Sequence, residues 1–165
     1  MLDTVIDDNT RDTVEFSLKP STAPAAQLIA NLRGIAADRL LPLSIALAAA
    51  LSERHAQGES GGIPGSRVDG AGVVTLGPTE DRDPRDDVRD GMRMILEAAV
   101  GPLPADAPLA DSDLLPHINQ LRPDLPVDWI SVVMAALSTE SASRPSDGVS
   151  LWSQLSISQA LHRVR

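Results

Sequence analysis

Residues 86–104, DDVRDGMRMILEAAVGPLP, decide how this chain is read. Val88, Met92, Ile95, Leu96 and Ala99 recur at helical spacing, which predicts a helix from about Arg85 to Val100 with one apolar face. Gly101, followed by Pro102 and Pro104, stops it, because glycine accepts the left-handed exit and proline cannot continue a helix. A second decisive segment, Arg144-Pro145-Ser146, lies some forty residues further on.

Upstream of this helix, residues 77–84 are polar and acidic, and residues 57–72 hold six glycines and one proline with few large apolar side chains. Asp69-Gly70, between Arg67-Val68 and Val73-Val74-Thr75-Leu76, predicts a small hairpin. From about Ala36 to Ala56 the apolar positions outnumber the polar ones, so a helix buried on most of its circumference is expected, with Pro42 in its first turn. Ser21 or Thr22 is placed to cap a shorter helix carrying Leu28, Ile29 and Leu32, and residues 13–18 (TVEFSL) alternate as a short strand. Residues 1–12 are acidic and expected to be disordered.

Downstream, the proline-rich residues 103–126 predict a long connection with one short helix near residues 111–121. Asp128 is a candidate cap for a helix that runs to about Leu137 with Trp129, Ile130 and Val133 inward. A last helix starts near Ser146-Asp147 and carries Val149, Leu151, Trp152 and Leu155; both tryptophans read as core. The fold class expected is therefore mainly α with a small β-hairpin, as one domain over residues 13–165.

Composition narrows the chemistry. The 165 residues suffice for one hydrophobic core, 42% are hydrophobic but only 2% aromatic, and cysteine is absent, which removes disulfides, thiolate metal sites and a cysteine nucleophile. Thirteen of the fourteen basic residues are arginine, with Lys19 the only lysine, and the net charge is −9. This balance supplies no basic stripe for nucleic acid, and favours protein partners with basic patches or self-association. The first residues carry no apolar core of a secretory leader, and the longest apolar run, residues 40–51, is interrupted by Pro42 and well short of the ~20 residues that span a bilayer. No membrane association is expected, and the location expected is cytoplasmic. An Arg-rich, Lys-poor, Ala/Asp/Gly/Pro-rich composition fits a GC-rich bacterial genome.

The order of elements, together with three spaced patterns, resembles the C-terminal lobe of the protein kinase superfamily over residues from about 13 to 155. Leu51, His55 and Gly58 match L-x-x-x-H-x-x-G; Asp87-Val88, Glu97, Gly101 and Pro104 match D-V, a later acidic residue and G-x-x-P; Ala136-Leu137 and Arg144-Pro145-Ser146 match A-L followed by R-P-S. The helix glycine of the family is displaced here, to Gly91. The resemblance implies structural roles for Glu80, Asp87, Glu97, Gly101, Arg144 and Pro145. It pairs Arg144 with Glu80, the nearest counterpart of the glutamate that closes the family's activation segment. It sets Asp87 to cap or brace the loop before the hairpin; an exposed first-turn aspartate favoured by the helix dipole is the other reading.

Phosphoryl transfer needs a carboxylate beside the attacking hydroxyl, magnesium ligands and a phosphate-binding lysine. Aligned to the resemblance, Ile63 stands near the base position and Val68 near a metal-binding asparagine, residues 75–79 (TLGPT) hold no Asp-Phe-Gly, and an N-terminal lobe that would carry the lysine is not expected. The expectation is a degenerate, pseudokinase-like C-lobe without catalytic, cofactor-binding or metal-binding residues, not an enzyme, serving as a scaffolding or regulatory protein-binding module. Two alternatives remain: a small helical adaptor without kinase ancestry, and an enzyme using the acidic cluster at residues 80–90. His55, His117 and His162 are dispersed and form no metal-ligand spacing.

Overall fold

The computed structural model describes residues 36–69, 71–101, 103, 116 and 118–164. The strand expected at residues 13–18, the helix expected before Gly34 and the disorder expected over residues 1–12 lie outside them. Within the described residues the chain is mainly helical with a two-stranded antiparallel sheet.

Helix α1, Ala37–Ala56, is the central rod, and its alanine and leucine content gives it strong intrinsic propensity. Pro42 falls in the second turn, not the first. Its missing N–H would otherwise bond the carbonyl of Asp38, and both residues lie on the exposed side of the helix. Leu40, Leu41, Leu47, Ala48 and Leu51 face inward, and Ser44 is buried among them. Its hydroxyl donates to the Leu40 carbonyl at 2.7 Å and accepts the Trp129 indole N–H at 3.1 Å, so both polar groups are satisfied inside the core. Ser44→Ala should therefore cost about 1–3 kcal/mol by orphaning the indole N–H, measurable by urea unfolding, while Ser131→Ala, an exposed serine two residues from Trp129, should be near neutral.

The loop after α1 leads into β1, Arg67–Val68, and β2, Val74–Thr75, paired Arg67 to Thr75 and Val68 to Val74. The expected hairpin is thus present. Asp69 organises its turn by accepting the N–H groups of Ala71 and Val73, each at 2.9 Å, and Gly72 takes the left-handed position with φ 82°.

Helix α2, Pro84–Val100, is the helix read from residues 86–104. Asp83 caps it by accepting the Arg85 N–H at 2.9 Å, with Pro84 in the first turn, and Gly101 (φ 95°) closes it with its N–H on the Glu97 carbonyl. Glu97 and Arg93 then clamp the departing chain. They pair at 3.1 Å, Glu97 accepts the Leu103 N–H, and Arg93 donates to the Leu103 carbonyl.

Residues 118–121 are helical and bury Ile118. Arg122 then donates to the Ala99 carbonyl, one of the free carbonyls at the end of α2, and pairs with Asp124 at 2.8 Å. The hydrogen bond from Arg122 holds Asp124 below its ordinary value; partial burial opposes this, and the Arg122 charge and the Ala37 N–H at the start of α1 add to it. A depressed folded-state value means that the pair's stabilisation is present above the unfolded aspartate value and is lost as pH falls through the folded one. Asp124 is half exposed, so the term stays under about 1 kcal/mol; Asp124→Asn should flatten the stability curve slightly below about pH 4 and nowhere else.

Helix α3, Val127–Ala136, starts from Pro126 without a side-chain cap. The expected Asp128 cap is corrected: Asp128 sits one residue inside the first turn, and proline at the boundary leaves no side chain to accept an N–H. A short 3₁₀ turn, Ser141–Ser143, precedes α4, Gly148–Val164, whose first turn is held by Asp147 accepting the Ser150 N–H at 2.8 Å. Leu151 and Leu155 enter the core, where Trp129 is also buried, but Trp152 is 44% exposed and Val149 also points outward. The expected burial of Trp129 is observed, and that of Trp152 is corrected. The α4 stripe that meets α1 passes through Gly148, Leu151, Leu155 and Ser158, which turns Trp152 away from the core. Among the described residues a single core runs through α1 to α4, Ile118 and the inner side of the hairpin.

Candidate functional site

His55 and Asp87, two of the polar side chains singled out in the sequence, meet where the end of α1, the glycine loop, the start of α2 and the turn before α4 come together. Asp87 is at the centre, with 0% of its surface exposed. One oxygen, Oδ2, accepts the Gly61 N–H at 2.6 Å and lies 3.1 Å from His55 Nε2. Its other oxygen, Oδ1, lies 3.2 Å from Arg82 Nε, an ionic contact off the hydrogen-bonding line.

His55 has a defined tautomer. Its Nδ1 accepts the Gly148 N–H at 2.9 Å, so the ring proton belongs on Nε2, which donates to Asp87. The imidazole thus ties α2 to the first residue of α4. Of the two readings of Asp87, bracing of the loop is the one observed; the helix cap is Asp83, and the exposed-aspartate reading is overturned by full burial.

Around this centre the loop is held by two further devices. Arg54 donates from one guanidinium nitrogen to the carbonyls of Gly61 (2.9 Å) and Gly77 (2.8 Å). The Gly77 and Glu80 N–H groups in turn bond the carbonyls of Gly62 and Ser60, each at 2.8 Å. This close strand-like approach requires glycine: a Cβ on Gly62 (φ 92°) would collide with the Arg54 guanidinium and stand 2.7 Å from the Gly77 oxygen. The role of Arg54 was not legible in the sequence, where nothing distinguishes it from a solvated arginine at a helix end.

Arg144 is corrected in its partner. It pairs with Asp86 at 3.0 Å and donates to the Ser138 carbonyl at 2.8 Å, closing its own turn, with Pro145 buried beside it. The expected partner, Glu80, is drawn away because its backbone is bonded to Ser60, and its half-exposed carboxylate has Arg82 as its nearest cation, at 3.8 Å. Arg82 also meets Asp90 at 2.6 Å. Burial opposes its charge, but the Asp90 hydrogen bond and the charges of Asp90, Asp87 and Asp86 outweigh this and raise its pKa. The acidic cluster is therefore interleaved with arginines: Arg85 pairs with Asp83 and Arg89 with Asp90. Among the described residues no group of three or more His, Cys, Asp or Glu is placed to hold a metal ion.

Ile63 is buried at the face of α2, where its side chain would touch a Cβ placed on Gly91. Beside the node an open depression of about 250 Å³ is lined by Gly58, Glu59, Ser60, Thr79, Glu80 and Asp81. A smaller apolar cleft lies under the hairpin, between Leu43, Val68, Val74 and Met94. No helix of the described residues is long and apolar enough to cross a membrane. No protein-family model and no curated protein sequence matches the chain.

Proposed function

We propose that this chain is a non-catalytic, kinase-C-lobe-like module that binds protein partners in a bacterial cytoplasm. The observation that carries the reading is the structural use of Asp87. A carboxylate fully buried and spent on Gly61, His55 and Arg82 is a fastening, with no open face toward a substrate. The three patterns of the resemblance supply the parts of one node: His55 from the first, Asp87 from the second, and from the third the Arg144 turn that delivers Gly148. Ile63, which the resemblance aligns with the catalytic base, is an apolar core residue and offers no proton acceptor.

The surface that suits a partner is the glycine loop with its acidic depression. Glu59, Glu80 and Asp81 give that depression a negative lining, which fits a basic segment of another protein. Two measurements test the reading. Millimolar ATP with magnesium should leave the melting temperature unchanged, since only a ligand that binds the folded state raises it; a magnesium-dependent rise overturns the non-catalytic assignment. Partners captured by the wild-type chain should be lost from a Glu59→Lys/Glu80→Lys/Asp81→Lys variant, and retention would remove this surface from the proposal.

A further inference from the structure

The outward side of α4 carries Trp152 at 44%, Ile157 at 62% and Val164 at 88% exposure, with Val149 and Leu161 also exposed. From Gly148 to Leu161 the helix holds no Asp, Glu, Lys or Arg, although 22% of the chain is charged. An exposed helix without charge departs from the amphipathic pattern of the rest of the molecule and has the composition of an interface centre.

The arrangement of these residues identifies the occupant. At about 100° per residue, Val149, Ser153, Ala160 and Val164 form a narrow central stripe, with Trp152 on one edge and Leu161 on the other. The stripe is symmetric in sequence about the point between Ser156 and Ile157: Val149 mirrors Val164, and Ser153 mirrors Ala160. A second α4 running antiparallel therefore sets valine against valine at both ends and small residues at the middle, where backbones approach most closely. Arg163 lies on the same edge as Trp152, three turns away. A two-fold axis perpendicular to the helix pair brings the Arg163 of the second copy beside the Trp152 ring, a cation–π contact made twice. A neutral face also avoids the repulsion that two chains of charge −9 would otherwise meet.

We infer that the chain forms a two-fold dimer through antiparallel packing of α4. This rests on α4 alone and stands or falls apart from the function proposed above. Sedimentation equilibrium of the full chain up to on the order of 100 μM should show a monomer–dimer equilibrium. Trp152→Glu should weaken it by about tenfold or more, with an unchanged far-ultraviolet spectrum, while Val73→Glu on the hairpin leaves it intact. Because the chain has no cysteine, single thiols report geometry directly: Ser156→Cys, next to the axis, should cross-link on mild oxidation, and Val149→Cys, at the far end, should not. A monomer at every concentration overturns the inference, as does a dimer indifferent to Trp152→Glu or one in which Val149→Cys links to itself. A monomer whose Trp152 is shielded from acrylamide also overturns it, because another part of the same chain then covers the face.

Discussion

Asp87→Ala should destabilise the chain by about 3–5 kcal/mol, which for a domain of this size lowers the melting temperature by on the order of 10 °C. The magnitude follows from what is left behind. Removal of the carboxylate strands the buried Gly61 N–H and the His55 Nε2–H, and takes from Arg82 one of the three carboxylates around it. Each orphaned donor carries its own desolvation cost, and the three losses coincide at one point, so they add to a single large effect. An aspartate that interacted only with the helix dipole would cost about 0.3–1 kcal/mol, and a value in that range would mean that the node is dispensable. Asp87→Asn separates charge from shape. Its side-chain oxygen can still accept from Gly61 and His55, but its amide presents donors to Arg82, so an intermediate loss is expected. Equal losses for Ala and Asn would locate the effect in the Arg82 contact, and equilibrium urea unfolding of both variants reads the difference.

The same node explains which parts of the architecture could be read in advance. Helix α2 was legible because its signal is local: five apolar residues at helical spacing, and glycine followed by proline where it stops. The hairpin was legible for the same reason, since Asp69 sets its own turn through two neighbouring N–H groups. Asp87 was identified by pattern, yet its burial was not, because a carboxylate in a first turn has the same sequence signature whether it faces water or a loop 26 residues away. Arg144 shows the limit most clearly. An ion pair at Arg144 was expected, but the choice of Asp86 over Glu80 depends on where the backbone bond from Glu80 to Ser60 holds the intervening segment. Trp152 failed for a different reason: a helix with apolar residues on both sides gives no local indication of which stripe meets α1.

Gly148→Ala is expected to be as damaging as loss of Asp87, though it adds a single methyl group. A Cβ at this position would overlap the backbone of Leu51 and Ser52, standing 2.7 Å from the Ser52 Cα. Backbone in the middle of a helix cannot rotate away as a side-chain tip can, so α4 must lift off α1, the helix it packs against most extensively. That displacement also carries the Gly148 N–H away from His55 Nδ1 and loosens the node from its other side. Overpacking of this kind costs about 3 kcal/mol or more when the obstruction is rigid. Gly91→Ala is the matched comparison, since glycine there also sits between packed helices. Its Cβ would meet the side-chain tips of Leu47 and Ile63 at 3.2 and 3.3 Å, which can yield by a few tenths of an ångström. Alanine recovers about 0.5–1 kcal/mol of helix propensity relative to glycine, so Gly91→Ala should fall near neutrality. A Gly148→Ala chain that melts with Gly91→Ala would mean that α4 is free to shift along α1, and the rigid contact between the two helices would have to be abandoned.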